Sequence, residues 1–241
     1  MKIDVLALGA HPDDVEMSCS GTLLAAAAAG KTIGIVDFTR GELGTRGTPQ
    51  TRAEESERAT KILGLHAREN LGMADGFFRN DREHQLLLVA ALRRYQPDVV
   101  LCNAINDRHP DHGRAAQLAT EACFLAGLRM IETLGEDGQP QAPWRPRVVY
   151  HYIQDRQLPA DFVVDITAHW PKKWESIQAY KTQFHTAESP IDEPTTYLST
   201  PAFSDFMEAR AREFGHLIGA QYGEGFTRER PIGVREVTEL I

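Results

Sequence analysis

The chain of 241 residues has three cysteines, Cys19, Cys102 and Cys123, and no CxxC pair. An odd, dispersed set excludes a disulfide framework and a thiolate zinc site, and it reads as buried thiols in a reducing cytoplasm. Positive charge is also scarce: 26 Lys and Arg face 34 Asp and Glu, a formal charge of -8, which argues against a nucleic-acid or anionic-membrane partner. No apolar run approaches the roughly 20 residues of a membrane span. The opening MKIDVLALGAHPDD reaches histidine and acids too soon for a secretory signal. No linker is visible either, so residues 1–241 are expected to form one domain. With 42% hydrophobic and 25% charged residues, what remains is an ordinary soluble protein acting on a small molecule.

The pattern that is present is α/β. Lys2 to Leu8 is a strand ending at Gly9, GTLLAAAAAGK a helix stopped at Gly30, and Thr32 to Phe38 a second strand. Such a βαβ unit places its strands parallel and its ligands at their carboxyl ends. TRGELGTRGTPQTR is a loop leading into a helix over Thr51 to Leu63, with Thr51 as its cap and Glu54 completing a capping box. A helix over Glu83 to Tyr95 leads to the buried-strand pattern PDVVLCN, and Asp111 to Leu125 follows as a helix. RVVYHYI and DFVVDI are strands, while Trp170 to Lys181 and Ser204 to Ile218 are the last substantial helices. The expected fold is a Rossmann-like, mostly parallel sheet flanked by helices in a single domain.

At the first strand end, where a dinucleotide-binding protein carries its glycine-rich loop, this chain has Ala10-His11-Pro12-Asp13-Asp14-Val15-Glu16. Three acids in four positions would repel a pyrophosphate, whereas imidazole and carboxylate at a three-residue spacing suit a divalent cation. His109-Pro110-Asp111-His112 follows another strand, and two such motifs at the carboxyl ends of one parallel sheet converge on one crevice. A catalytic zinc takes three protein ligands and keeps a place for water; His11, Asp14 and His112 supply that set. Asp13 is the expected base, His109 the oxyanion partner as a cation, and Asp111 an orienting carboxylate behind the ligands. Fe(II) accepts the same ligands, so the metal stays open, as do an oxygenase and a binding module without turnover.

At these residues the chain resembles the LmbE-like or PIG-L-like zinc deacetylases, whose marks are an AHPDD-type motif near the N-terminus and a later HPDH-type motif. The resemblance extends to the arginine-containing helix start and to QYGEGF near the end. It implies zinc at His11, Asp14 and His112, a base at Asp13, an oxyanion or acid role for His109, a substrate contact from Arg52 and a trimer or hexamer. DFTRGELGTRGTPQTR and ENLGMADGFF look most like the bacillithiol-biosynthesis branch, which acts on N-acetylglucosaminyl malate. Arg40, Arg46 and Arg52, clustered in an acidic protein, favour an anionic amino-sugar substrate. His151 and Tyr197 are further candidates for lining the pocket.

Overall fold

The apolar run at the N-terminus forms β1 (Val5–Gly9), buried along its whole length. Side chains alternate across it. Leu6 and Leu8 join one core cluster, while Val5 and Ala7 join the other. In β2 (Ile33–Thr39), Val36 and Phe38 face the first cluster and Ile33 and Ile35 the second. A strand apolar on both faces belongs in the middle of a sheet covered by helices on both sides.

The computed structural model describes residues 1–186 and 193–239. In chain order the remaining elements are α1 (Asp14–Ser18), α2 (Ser20–Ala28), α3 (Pro49–Leu63), β3 (Ala67–Met73), α4 (Arg82–Tyr95), β4 (Val99–Cys102), α5 (Pro110–Ala126), β5 (Val148–Tyr152), β6 (Phe162–Asp165), α6 (Trp170–Gln178), α7 (Pro201–Leu217) and β7 (Gly223–Arg228). The seven strands are ordered β3-β2-β1-β4-β5-β7-β6. Pairings from β3 through β5 are parallel, and β7 runs antiparallel between β5 and β6. The expected single-domain, mostly parallel α/β fold is what forms.

Helices α4 and α5 cover one face through Leu88, Leu92, Leu118 and Ala122. Val15, Cys19 and Leu23 of the α1–α2 segment and Leu63 of α3 cover the other. Gly21 is small because a Cβ there would come within 2.8 Å of Ile166. A further cluster joins Ala59 of α3, Ile177 of α6 and Phe203 and Met207 of α7, which brings α7 over the carboxyl ends of the strands. All three cysteines are buried and free. Among the described residues no helix is long and apolar enough to cross a membrane.

Helix α3 begins two residues before the expected Thr51. Thr48 is its cap, accepting from the Thr51 amide, and the Thr51 hydroxyl accepts from the Thr48 amide at 2.7 Å. Pro49 fits the first helical position, where no amide is needed. Glu54 instead accepts from Gln50 at 3.0 Å. The Gly- and Thr-rich TRGELGTRGTPQTR reads as loop up to Thr51, and this places the cap three residues late.

Neither β3 nor β7 was expected. β3 reads Ala-Arg-Glu-Asn-Leu-Gly-Met, a polar sequence tolerated because it is the sheet edge, half open to water. β7 contains two glycines, and Gly225 cannot be larger because a Cβ would meet the Phe214 ring at 2.6 Å. Helix packing, invisible in local sequence, selects the glycine.

Candidate metal centre and active site

β1 lies between β2 and β4, so the chain order reverses on either side of it and a crevice opens at the carboxyl ends of β1 and β4. His11 to Asp14 leave β1 there, and Asn103 to His112 leave β4. The two histidine motifs thus meet by topology.

Asp14 is the carboxylate that touches both His11 and His112 among the described residues. Its Oδ2 lies 3.5 Å from His11 Nδ1, and its Oδ1 lies 3.2 Å from His112 Nε2. Amide donors hold it from behind: Asn103 Nδ2 at 3.0 Å and Gln154 Nε2 at 2.6 Å. The Asn103 side-chain Oδ1 accepts in turn from the Ala10 amide at 2.9 Å, locking the β1 and β4 loops together. Each imidazole is also held on its far nitrogen. His112 Nδ1 bonds Asp107, while His11 Nε2 lies 3.0 Å from Asp75 and 3.3 Å from Asp111. Asp111 thus orients His11, and it also pairs with Arg114 at 2.6 Å.

Asp75, Asp107, Asn103 and Gln154 were not singled out from sequence. They are isolated polar residues without a motif. The signal that could have found them is position, since Asp75 follows β3, Asn103 and Asp107 follow β4, and Gln154 follows β5.

Burial disfavours charge on the Asp14 carboxyl, yet His112 and His11 hold its pKa well below the ordinary carboxylate value. Burial likewise opposes charge on His112, but Asp14 and Asp107 raise it to about 9. For His11, Asp111, Asp14 and Asp75 outweigh burial and push it well above 6.5. The protons therefore balance a buried excess of carboxylate, the task a divalent cation performs in a donor set of two imidazoles and carboxylate. The remote nitrogens are occupied by carboxylates and the near ones face Asp14, the outer-shell pattern of a histidine metal site. Among the described residues, the sets whose three ligand atoms all lie within 4.8 Å of one another are His11, His109 and His112, and His11, Asp75 and Asp111; the expected trio of His11, Asp14 and His112 is not one of them. Both share His11, and the donor chemistry fits a cation in every case.

Asp13 stands beside this cluster with φ of 118°, a left-handed conformation rare for a residue with a Cβ. Its carboxylate lies 3.1 Å from Arg52 Nη2, and Arg52 also donates to the Pro12 carbonyl. Gly41 makes room, because a Cβ there would press on the same guanidinium at 3.1 Å. Burial, opposed by Arg52 and aided by Asp14, pushes the Asp13 pKa up to about 7, where a carboxylate can both take and return a proton near neutrality.

His109 caps α5, and its Nδ1 accepts from the Asp111 amide at 3.3 Å. Burial first, then His11 and His112, lower its pKa from the ordinary imidazole value, which favours a neutral ring over the expected cation. With Nδ1 accepting, the proton sits on Nε2, a neutral donor.

A cavity of about 390 Å³ opens over these groups, lined by His11, Asp13, Asp14, His109, His112 and Arg52, among others. Not every expected residue reaches it. His151 is buried beneath, its Nδ1 held by the Asn103 carbonyl oxygen at 2.9 Å, because β5 turns that side chain under the β4 loop. Arg46 points away, donating to the carbonyls of Thr182 at 2.5 Å and Pro194 at 2.9 Å, and it ties down the chain before α7. Neither residue lines the cavity. Tyr197 lies at the rim, packed on Phe203 with ring centroids 4.9 Å apart and covered by the Arg108 guanidinium at 4.7 Å.

Residues 6–123, which carry both histidine motifs, match the PIG-L family of GlcNAc-PI de-N-acetylases. A deacetylase of Escherichia coli, YaiS, uncharacterized by name, is 37% identical over 130 residues, 49% of this chain and 67% of its own length. The chain belongs to the PIG-L family. A conserved protein of Thermus thermophilus, TT1542, is 37% identical and superposes with a TM-score of 0.84, covering 96% of this chain and 97% of that one. The diacetylchitobiose deacetylase of Thermococcus kodakarensis is 27% identical over 92% of this chain and 81% of its own. Two further relatives carry other names. A probable N-acetyl-alpha-D-glucosaminyl L-malate deacetylase 2 of Bacillus anthracis is 26% identical (76% of this chain, 82% of its own), and a 4-oxalmesaconate hydratase of Pseudomonas putida is 28% identical (76% and 75%). As a PIG-L member the chain is a deacetylase, a hydrolase of N-acetylated sugar-type substrates.

Proposed function

We propose that this PIG-L protein removes the N-acetyl group of an amino-sugar glycoside with the help of zinc, and that its substrate is N-acetylglucosaminyl malate. The carrying observation is the cluster in which Asp14 touches both His11 and His112 while Asp75, Asp111 and Asp107 hold their remote nitrogens. The malate glycoside is supported by the DFTRGELGTRGTPQTR and ENLGMADGFF segments and by the Bacillus anthracis relative.

His11, Asp14 and His112 would hold the metal, which supplies a Lewis acid and lowers the pKa of water to about 7. Asp13, at its raised pKa, takes a proton from the attacking water and delivers it to the departing amine nitrogen. The pair with Arg52 fixes the direction of that carboxylate. His109, neutral and protonated on Nε2, donates to the amide oxygen as charge develops there. The C–N bond breaks, giving acetate and a free amine.

The test is to quantify bound metal and follow amine release from N-acetylglucosaminyl malate beside N-acetylglucosamine, with His112→Ala as control. Turnover of the malate glycoside, lost in the control, supports the reading. Absence of amine release from both sugars by the zinc-loaded protein overturns it. Consumption of an unsaturated polycarboxylate would then favour a hydratase, the reading suggested by the Pseudomonas putida relative.

A further inference from the structure

Three arginines line the cavity: Arg52, Arg108 and Arg210. Two have acidic partners within the protein. Arg52 pairs with Asp13 at 3.1 Å, and Arg108 Nε lies 3.4 Å from Asp155 while its guanidinium covers Tyr197. Arg210, on α7, differs. Its guanidinium rests over the Phe206 ring at 5.3 Å, and among the described residues it makes no hydrogen bond or ion pair.

A half-buried guanidinium presents five donors in a planar fork, and removing it from water without a partner is unfavourable. Burial is the main influence on Arg210, lowering its pKa; Asp155, Asp107 and Glu224 act on it only at a distance. Glu224 is already engaged by Lys173 at 2.7 Å and by the Gly21 and Thr22 amides, and Asp107 by His112 and the amides of Asp155 and Arg156. The acids near Arg210 thus have their own donors. Arg210 lines the same cavity as Asp13 and His112, with the apolar side chains of Met17, Leu198 and Phe203 along the wall, and it also borders a small pocket beside Lys173 and Glu224.

We infer that Arg210 is the specificity residue of this enzyme, receiving a carboxylate carried by the part of the substrate away from the N-acetyl group. The inference rests on the deacetylase reading and relocates anion recognition. The β2–α3 arginines do not supply it: Arg46 is held by the Thr182 and Pro194 carbonyls and by Glu193, Arg52 by Asp13, and Arg40 lines a different pocket. Helix α7 brings the cation across from the opposite end of the chain. A guanidinium and a carboxylate match in planar, two-bond geometry, which a lysine would reproduce only in charge.

The experiment compares zinc-loaded parent, Arg210→Gln and Arg210→Lys on N-acetylglucosaminyl malate and on the neutral methyl glycoside of N-acetylglucosamine. The readout is the ratio of kcat/KM between the two substrates, which cancels a general loss of folded enzyme. Arg210→Gln is expected to lower that ratio about 10- to 100-fold, the range for one hydrogen bond to a charged group, with the change in KM. Arg210→Lys is expected to fall between Gln and parent. A ratio in Arg210→Gln within two-fold of the parent overturns the inference. Titration calorimetry of both glycosides with the same proteins separates this from failure of the deacetylase reading. If the parent hydrolyses neither sugar, preferential binding of the malate glycoside that is lost in Arg210→Gln still supports the assignment, and equal binding by parent and Arg210→Gln overturns it.

Discussion

The Asp107 carboxylate bonds Nδ1 of His112, and this leaves His112 Nε2 facing Asp14 at 3.2 Å. One side chain thereby sets both the tautomer and the direction of another. The same logic operates on His11, where Asp75 and Asp111 hold Nε2 and leave Nδ1 toward Asp14. If these pairs orient metal ligands, Asp107→Asn lowers zinc affinity by about 10- to 100-fold, the usual effect of losing such a partner. Competition against a chelating dye measures it. Undiminished affinity would leave Asp107 as a loop tie to the Asp155 and Arg156 amides and nothing more.

Asp13→Asn tests the proton carrier. The amide keeps the shape but takes no proton, so kcat is expected to fall about 100- to 10,000-fold, the contribution of a positioned acid or base. Bound zinc, measured by elemental analysis, stays stoichiometric in the variant. A parent-like rate would remove Asp13 from the mechanism.

Chelation should both silence the enzyme and soften it. A ligand bound only by the folded state at a free concentration 1,000 times its Kd stabilises by about 4 kcal/mol, which for a domain of this size is roughly 8–16 °C in Tm. Differential scanning with and without zinc reads the shift. Equal Tm values in both conditions would contradict tight binding.

Lys173 and Glu224 form a buried pair at 2.7 Å, and Lys173 also donates to the carbonyls of Glu16 and Met17 at 3.0 and 2.7 Å. This ties α1, which follows the first motif's turn, to α6 and β7. Lys173→Met leaves Glu224 charged and partly unpaired, and is expected to destabilise by about 3–5 kcal/mol. Urea unfolding of the variant decides it, and a loss under about 1 kcal/mol would mean that the Gly21 and Thr22 donors suffice.

His151→Asn should lower stability by about 1–3 kcal/mol through the bond to the Asn103 carbonyl, with little change in the KM for substrate. A selective rise in KM for the malate glycoside, without loss of stability, would return His151 to the pocket.

The parallel sheet was legible in the amino-acid order, because runs such as Val5–Gly9 and Val99–Cys102 are apolar on both faces and such strands are stable only between helical layers. That order also determined that His11, Asp14, His109 and His112 share one crevice, because motifs that leave neighbouring parallel strands at their carboxyl ends meet there. What surrounds them comes from packing. Asp75, Asp107, Asn103 and Gln154 are single polar residues in separate loops, and only the lateral order of β3, β1, β4 and β5 turns them toward the same imidazoles and carboxylate. Packing also sorted the arginines. Arg46 and Arg52 are close in sequence, yet one holds backbone carbonyls and the other Asp13, whereas Arg210 comes to the cavity from α7 with no acidic partner among the described residues. Local pattern records which groups can be charged; packing decides which of those charges find a partner inside the protein.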